Sequence, residues 1–579
     1  MKVSDYIVSY LESRGVECVF EMSGGMIAHL LDSLHKRGRI RVVSMHHEQA
    51  AAFAADAAGR MTGVPGVAMA TSGPGATNLL TGIGSCYFDS SPAVFITGQV
   101  NRNEQKGERA IRQLGFQETD IVPMAVPVTK AAWRVREPEE VPTMLERAFA
   151  LAMEGRPGPV LLDIPMDVQR AEINVTENVT EAADNPSAST QLSEIDGEVW
   201  ESLFTGLEAA KRPLILAGGG IASARSLPLF RSFVRRLHVP VVNSLMGVDA
   251  LPFADPLRVG MIGSYGNRWA NISIGRSDFL LVLGSRLDVR QTGSQTAAFK
   301  GERVIFHVDC ESGEINNRVA GCRPVVSGLK EFLSQALSIT DGREFAERKE
   351  WREEIETLRR AWPDTNEPAS GKGINPNALM HQLSAVSTEA AAYVVDVGQH
   401  QMWAAQSLEI GPEQRFLTSG GMGSMGFALP AAIGACFSAP SRAVVLIAGD
   451  GGFQSNIQEL ETVSHHRLPV KMVVLNNGCH GMVRQFQESY FESRYQSTLW
   501  GYSAPDFAAV AEAYKIRART IETESEIEEA LRLLWMNPME PALLQVMIDT
   551  YANAYPKIAF GSPMTEMEPL VEPPEVEDA

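Results

Sequence analysis

Three short stretches of this chain carry side chains suited to holding and activating a charged group. Gly449-Asp450-Gly451-Gly452 follows the apolar run Ala443–Ala448, and Asn476-Asn477 follows a second run, Val470–Leu475. His47-Glu48-Gln49 opens a stretch of small residues, Gln49–Met61. One carboxylate and one amide oxygen are hard donors of the kind magnesium takes, and magnesium completes its octahedron with waters and phosphate oxygens. Asp450 and Asn477 are therefore read as metal ligands, with a backbone carbonyl just beyond them, at Cys479, as the third. A bare Gly-Asp-Gly in a glycine-rich chain is usually only a turn. The paired asparagines behind it, at the right distance, turn the reading towards a metal-bound diphosphate.

The elements needed to position these groups can be read from the same stretches. Ala443–Ala448 and Val470–Leu475 have the apolar, branched character of strands buried in a parallel sheet. Asn456–His466 between them reads as a helix, and a right-handed crossover lays the two strands close together. Asp450 and Asn477 then meet at the carboxyl edge, where doubly wound sheets bind ligands. Glu48 follows an apparent strand, Ile40–Met45, and heads a helix whose alanines allow close packing. A glutamate there is often no more than a favourable partner for the helix dipole. His46 and His47 point to opposite faces of an extended segment and are not assigned to catalysis. A diphosphate site together with a separate carboxylate matches the needs of thiamine diphosphate. Its aminopyrimidine must change tautomer before the thiazolium carbon can lose a proton, and a carboxyl group on the ring nitrogen drives that change. Glu48 is the candidate.

The whole chain is compatible with this chemistry. Its 579 residues suffice for three or four domains. A net charge of −19 argues against a nucleic-acid or anionic-membrane surface. No run is long and apolar enough to span a membrane, and the first twenty residues read as an amphipathic helix and a strand, not a leader. Six scattered cysteines without a C-x-x-C suit reduced thiols in a cytoplasm. Strands and helices alternate over 1–170, over 190–340 (with strands at Pro213–Ala217 and Phe279–Leu283) and over 375–549. The polar stretch 171–194 reads as a linker, and the charged stretch 342–367 as an exposed helix and second linker. The acidic tail, 550–579, is compatible with disorder and equally with folding over an active-site mouth.

These residues, in this order, resemble the catalytic subunit of acetolactate synthase in the thiamine diphosphate-dependent decarboxylase superfamily, over nearly the whole chain. The most specific stretches are Val397–Trp403, Ser419–Phe427, Gly449–Gln458 with Asn476-Asn477, and Gly481–Gln485; Thr71–Gly75 and Phe116–Asp120 also match. The resemblance implies an α/β fold of three doubly wound parallel-sheet domains: pyrimidine-binding, central and diphosphate-binding. It implies catalytic roles for Glu48, Phe116 and Gln117, and diphosphate contacts from Gln399, His400, Asp450, Gly451, Gly452 and Asn477. Gly423 would contact the pyrimidine through its backbone, and Met425 would wedge the cofactor into a bent shape. Gly219, Gly220, Arg286, Asp288, Arg290 and Asp309 match positions that hold FAD in the family. The active unit would be a homodimer or homotetramer, with Glu48 of one copy reaching the cofactor of another.

The implied reaction is decarboxylation of pyruvate followed by transfer of the two-carbon unit to a second carbonyl. Related pyruvate decarboxylases carry a histidine pair in the N-terminal domain to assist protonation, and Asn101–Gln117 holds no histidine. Glyoxylate carboligases lack the carboxylate supplied here by Glu48. Four departures bear on the acceptor or the flavin. Met166 stands where the family has lysine, Phe486 where it has tryptophan, Ile262 in place of a histidine and Gly328 in place of an aspartate. They keep two alternatives open: the same donor chemistry with a keto-sugar nucleotide acceptor, and a flavin-using 2-keto acid oxidase or decarboxylase.

Overall fold

Runs of valine, isoleucine, leucine and alanine form three separate six-stranded sheets, every pairing in them parallel. The computed structural model describes residues 1–174, 195–367 and 373–572. In the first sheet β1 (Cys18–Met22), β2 (Arg41–Ser44), β3 (Gly66–Ala70), β4 (Ala93–Gln99), β5 (Ala131–Arg134) and β6 (Pro159–Pro165) lie in the order β2-β1-β3-β4-β6-β5. The central sheet holds β7 (Pro213–Ala217), β8 (Val241–Asn243), β9 (Arg258–Met261), β10 (Phe279–Leu283), β11 (Val304–Asp309) and β12 (Arg323–Val326), ordered β12-β11-β10-β7-β8-β9. In the third, β13 (Ala392–Val395), β14 (Arg415–Thr418), β15 (Val444–Gly449), β16 (Val470–Asn476), β17 (Arg517–Ile521) and β18 (Ala542–Met547) repeat the first order, as β14-β13-β15-β16-β18-β17. The central order is that of dinucleotide-binding folds, with its switch point between β7 and β10.

The strands at the middle of each sheet are buried on both faces, as helix-covered parallel sheets require. β15 and β16 pair in register from Val444↔Val470 to Gly449↔Leu475, so Asp450 and Asn477 emerge side by side. The first and third domains are locked together by the helices Glu48–Thr62 and Ala428–Ser438. A side-chain carbon at Gly434 would lie only 2.1 Å from the Ala54 carbonyl oxygen, so the two backbones nearly touch. Phe53 and Phe427 meet edge to face beside this contact, with ring centroids 5.4 Å apart.

One expectation changes, and one question left open by the sequence is narrowed. The charged stretch 342–367 contains a helix, Lys349–Ala361, that buries Trp351, Ile355 and Leu358 in the central domain's apolar cluster. Its apolar stripe is narrow among many charges, which makes the sequence look like an exposed linker. Over its described residues, 550–572, the tail is anchored on the central domain. Lys557–Ile558 pairs with Met567–Glu568, and Ile558, Met564 and Met567 join the same apolar cluster. Buried Arg268, paired with Glu367 at 2.7 Å, also donates to the Pro569 carbonyl at 3.2 Å. The linker assigned to 171–194 lies outside the described residues from 175 onward, as does the tail from 573. All six cysteines are free, and no helix among the described residues is long and apolar enough to cross a membrane.

Candidate active site

The carboxyl ends of β13, β15 and β16 open into a cleft of about 1670 Å³ lined by Asp450, Asn477, Cys479, Gly423 and Met425, among others. Asp450 Oδ1 accepts the Gly451 N–H at 2.9 Å, while Oδ2 is buried and makes no hydrogen bond of good geometry, the Tyr502 hydroxyl lying close to the carboxyl. Burial pushes this carboxyl up to about 6. A buried acceptor left open marks a place for a cation or donor that arrives with a ligand. Asn477 Nδ2 donates to Gln399 Oε1 at 3.4 Å, which fixes the amide's orientation, and its Oδ1 accepts the Cys479 N–H at 3.3 Å. The Cys479 thiol, pushed up to about 11 by burial, donates to the Thr550 carbonyl at 3.4 Å. That engagement leaves the Cys479 carbonyl as its donor to a metal. One carboxylate, one amide and one carbonyl oxygen suit magnesium sharing phosphate oxygens.

A candidate cradle for a diphosphate is built from a helix start and close backbone contacts. Gln399 and His400 open the helix Gln399–Ser407 directly after Gly398, where unpaired N–H groups and the helix dipole favour an anion. Both hydrogens of the Gln399 amide are used, on Gln485 Oε1 at 3.1 Å and the Ala552 carbonyl at 2.9 Å. Its side chain therefore braces Asn477, and its backbone N–H at the helix start is the group left to meet an anion. Burial holds His400 down to about 3, so its ring is neutral. Its Nε2 accepts the Gly449 N–H at 3.3 Å, which leaves Nδ1 as the protonated nitrogen. Glycine is required on both sides of this ring: a side-chain carbon at Gly398 or Gly449 would come within 2.7 or 2.9 Å of it. Gly451 is similarly confined, since a carbon there would meet His480 at 2.7 Å and Met425 Cε at 3.2 Å. Gly423 differs: its φ of 69° demands glycine, yet the space beyond it is open, which leaves its backbone accessible from the cleft.

The same cleft continues to the central domain's switch point and reaches Gly219, Gly220, Arg286, Asp288, Arg290 and Asp309. A side-chain carbon at Gly220 would lie 2.8 Å from Gly284 Cα, so β7 and β10 close tightly there. Asp288 caps the short helix Val289–Thr292 by accepting the N–H groups of Arg290 and Gln291, and it pairs with Arg286 at 3.6 Å.

Glu48, Phe116 and Gln117 do not line this cleft. They form a second group on the first domain. Glu48 is 7% exposed, its Oε2 accepts from Asn78 Nδ2 at 3.0 Å, and a carbon at Gly75 would sit 3.2 Å from its Oε1. Gln117, at a φ of 63°, lies against Gly73, and Phe116 is 80% exposed. His47 is the helix cap, its Nδ1 accepting the Gln49 N–H at 3.0 Å. His46 is tied to the third domain through Thr462 Oγ1 at 3.1 Å and Glu459 at its backbone N–H. Both histidines make structural hydrogen bonds.

Known proteins share this chain's sequence along nearly its whole length. Residues 1–124, 201–336 and 396–546 match the family models for the N-terminal TPP binding domain, central domain and C-terminal TPP binding domain of thiamine pyrophosphate enzymes. The acetolactate synthase large subunit of Lactococcus lactis subsp. lactis (strain IL1403) is 35% identical, over 97% of this chain and 95% of its own. That of Parasynechococcus marenigrum (strain WH8102) is 37% identical, over 98% of this chain and 91% of its own. Isozyme 2 of Escherichia coli (strain K12) is 36% identical, over 98% and 99%. The chain belongs to the acetolactate synthase large-subunit family of thiamine pyrophosphate enzymes.

Within this family member, sequence reasoning overlooked the residues that hold the glycine-rich loop Ser419–Phe427 in place. Buried Asp396 accepts the N–H groups of Val397, Gly426 and Ala428 at 2.8, 3.0 and 2.9 Å. Asp89 reaches across from the first domain to accept the Gly421 N–H at 2.6 Å, and Arg60 ties Asp89 and Asp56 to the Thr418 carbonyl. Single charged residues at strand or helix ends carry no periodic signal; only their burial betrays them. Asp396→Ala is expected to raise the thiamine diphosphate dissociation constant by about tenfold or more, because three N–H groups, those of Gly426 and Ala428 buried, lose their acceptor. Titration of the cofactor by tryptophan fluorescence would check this.

Proposed function

We propose that this enzyme decarboxylates pyruvate and transfers the resulting two-carbon unit to a second carbonyl compound, with thiamine diphosphate and magnesium as cofactors. The observation that carries the reading is the buried Asp450 Oδ2, open towards the cleft that Asn477 and the start of the helix Gln399–Ser407 also line. When bound, thiamine diphosphate supplies an acidic carbon that adds to the 2-keto carbon and takes up the electrons released with carbon dioxide. Asp450, Asn477 and the Cys479 carbonyl would hold the magnesium, and the backbone at Gln399 and His400 would face the diphosphate. Glu48 would exchange a proton with the pyrimidine nitrogen. Neutral His400 would donate a hydrogen bond without adding charge.

Glu48 stands outside the cleft that holds Asp450, so the reading requires a second copy of the chain, as a homodimer or a pair of dimers. The exposed apolar residues beside the two half-sites, Phe88, Phe116, Met422 and Met425, support this assembly. FAD binding in the central domain is supported by its strand order and by the arm of the cleft along Gly219, Arg286 and Asp309. Flavin absorbance of the purified protein tests it. A cytoplasmic setting is supported by the six unpaired cysteines.

A second reading, the same donor with a bulkier acceptor such as a keto-sugar nucleotide, is favoured by one feature. Phe486 is 53% exposed on the helix Gly481–Tyr490, which starts in the cleft, and it leans on Tyr490 at 4.8 Å. A phenyl ring there is smaller than the family's tryptophan and leaves more room. Mass spectrometry of products from labelled pyruvate separates the readings. Abundant acetolactate from pyruvate alone supports a 2-keto acid acceptor. Carbon dioxide release with little acetolactate supports the bulkier acceptor, and no carbon dioxide release sinks both.

A further inference from the structure

Between β4 and the helix Ile121–Ala125 the chain makes a long surface excursion, residues 101–120, that is held rigid from within. The Glu118 carboxylate accepts the N–H groups of Lys106 at 2.6 Å and Leu114 at 2.8 Å. Gln113 Nε2 donates to the Glu118 carbonyl at 3.0 Å, and Gln105 Nε2 to the Val100 carbonyl at 3.2 Å. The base of the loop is pinned by Gln99 on the Thr119 carbonyl at 2.7 Å and by Arg134 between Asp120 and buried Asp163. Such a closed, self-packed loop has the build of a functional Ω-loop.

Its inner end reaches the catalytic half-site, because Gln117 lies on the Gly73–Gly75 turn that borders Glu48. Its outer arc carries Lys106, Arg109 and Arg112. Arg102 on the same loop is paired with Asp167 at 2.8 Å and with Glu137. Lys106, Arg109 and Arg112 have no carboxylate partner among the described residues, and Arg109 reaches only the Gln105 carbonyl, at 3.3 Å. Glu104 is engaged by Asn101 and Glu118 points inward, so Glu108 is the arc's remaining acid. In a chain of net charge −19, these three cations without carboxylate partners lie on an arc whose inner end borders Glu48, and they form a local basin for anions. Guanidinium forks match phosphate oxygens in particular.

We propose that Arg109 and Arg112, assisted by Lys106, bind the phosphate or diphosphate group of a phosphorylated carbonyl acceptor while its carbonyl reaches the donor carbon. This rests on the donor chemistry proposed above and names the acceptor class for the same site. The reduced aromatic at Phe486 supplies room, and the loop supplies the charge that selects among bulky acceptors.

The test uses the full-length protein saturated with thiamine diphosphate and magnesium, so that the cofactor's own diphosphate site is filled, with uridine diphosphate as the probe. Calorimetric titration is expected to show sub-millimolar binding that weakens with added salt. Arg109→Ala combined with Arg112→Ala is expected to weaken it at least tenfold, while carbon dioxide release from pyruvate alone stays within twofold of wild type. The probe is also expected to raise the apparent KM for 2-ketobutyrate as acceptor and to leave kcat unchanged. A fall in kcat at unchanged KM would make the loop a regulatory anion site and overturn the acceptor assignment. No binding to the wild type, or equal binding by the double variant, would overturn the proposal outright. A wild type that binds the probe but releases no carbon dioxide from pyruvate would sink the donor chemistry instead, and the titration reports that separately.

Discussion

Glu48→Gln is expected to lower turnover with pyruvate by about 10²- to 10⁴-fold, the range for loss of a positioned acid–base group, or roughly 3–5 kcal/mol of barrier. The substitution keeps the side chain's shape. A glutamine at this position can still accept from Asn78 Nδ2 and still fits against Gly75, so the helix start and its packing survive. What it loses is the exchangeable proton. The dissociation constant for thiamine diphosphate should stay within a few-fold of wild type, because the cradle for the diphosphate lies on another domain. Steady-state rates and a cofactor titration on the same preparation separate the two quantities. Near-normal turnover would remove Glu48 from the mechanism.

Asp450→Asn is expected to act in the opposite way, on binding first. The amide can still accept the Gly451 N–H through its oxygen. It cannot offer an anionic oxygen where Oδ2 now lies buried. Changing the groups that merely support a metal ligand commonly costs 10- to 100-fold in affinity, so loss of the site's charged ligand should cost about 100-fold or more. Equilibrium dialysis with magnesium and thiamine diphosphate measures this directly. Circular dichroism should show an unchanged fold, since relieving a buried carboxylate does not open the sheet. Undiminished magnesium-dependent cofactor binding would show that the metal sits elsewhere.

Much of this site was legible in the sequence because its parts fall at the ends of strongly patterned elements. The runs Pro213–Ala217 and Phe279–Leu283 form strands with those bounds, and Asp450 and Asn477 emerge from neighbouring strands as the crossover rule required. The alanine-rich stretch after Glu48 is a helix packed backbone to backbone, as its small residues foretold. Three kinds of feature were hidden. Asp396, Asp89 and Arg60 are isolated charges whose importance comes from what they touch across domains. The saturation of the Gln399 amide depends on Gln485 and Ala552, each far away in the chain. The anchoring of the tail depends on a few apolar side chains, Ile558, Met564 and Met567, too widely spaced to make a pattern.

Because Glu48 stands apart from the Asp450 cleft, the proposed enzyme builds each active site from halves of two copies of the chain. Mixing the two inactive variants, Glu48→Gln and Asp450→Asn, after dissociation and reassembly decides whether the halves come from two copies. Random pairing makes half of the dimers mixed. In each mixed dimer one site combines intact Glu48 from one copy with intact Asp450 from the other, so about a quarter of wild-type activity should return. A mixture that stays as inactive as either variant alone, despite proven exchange of subunits, would place both residues in one chain's own site and contradict this arrangement.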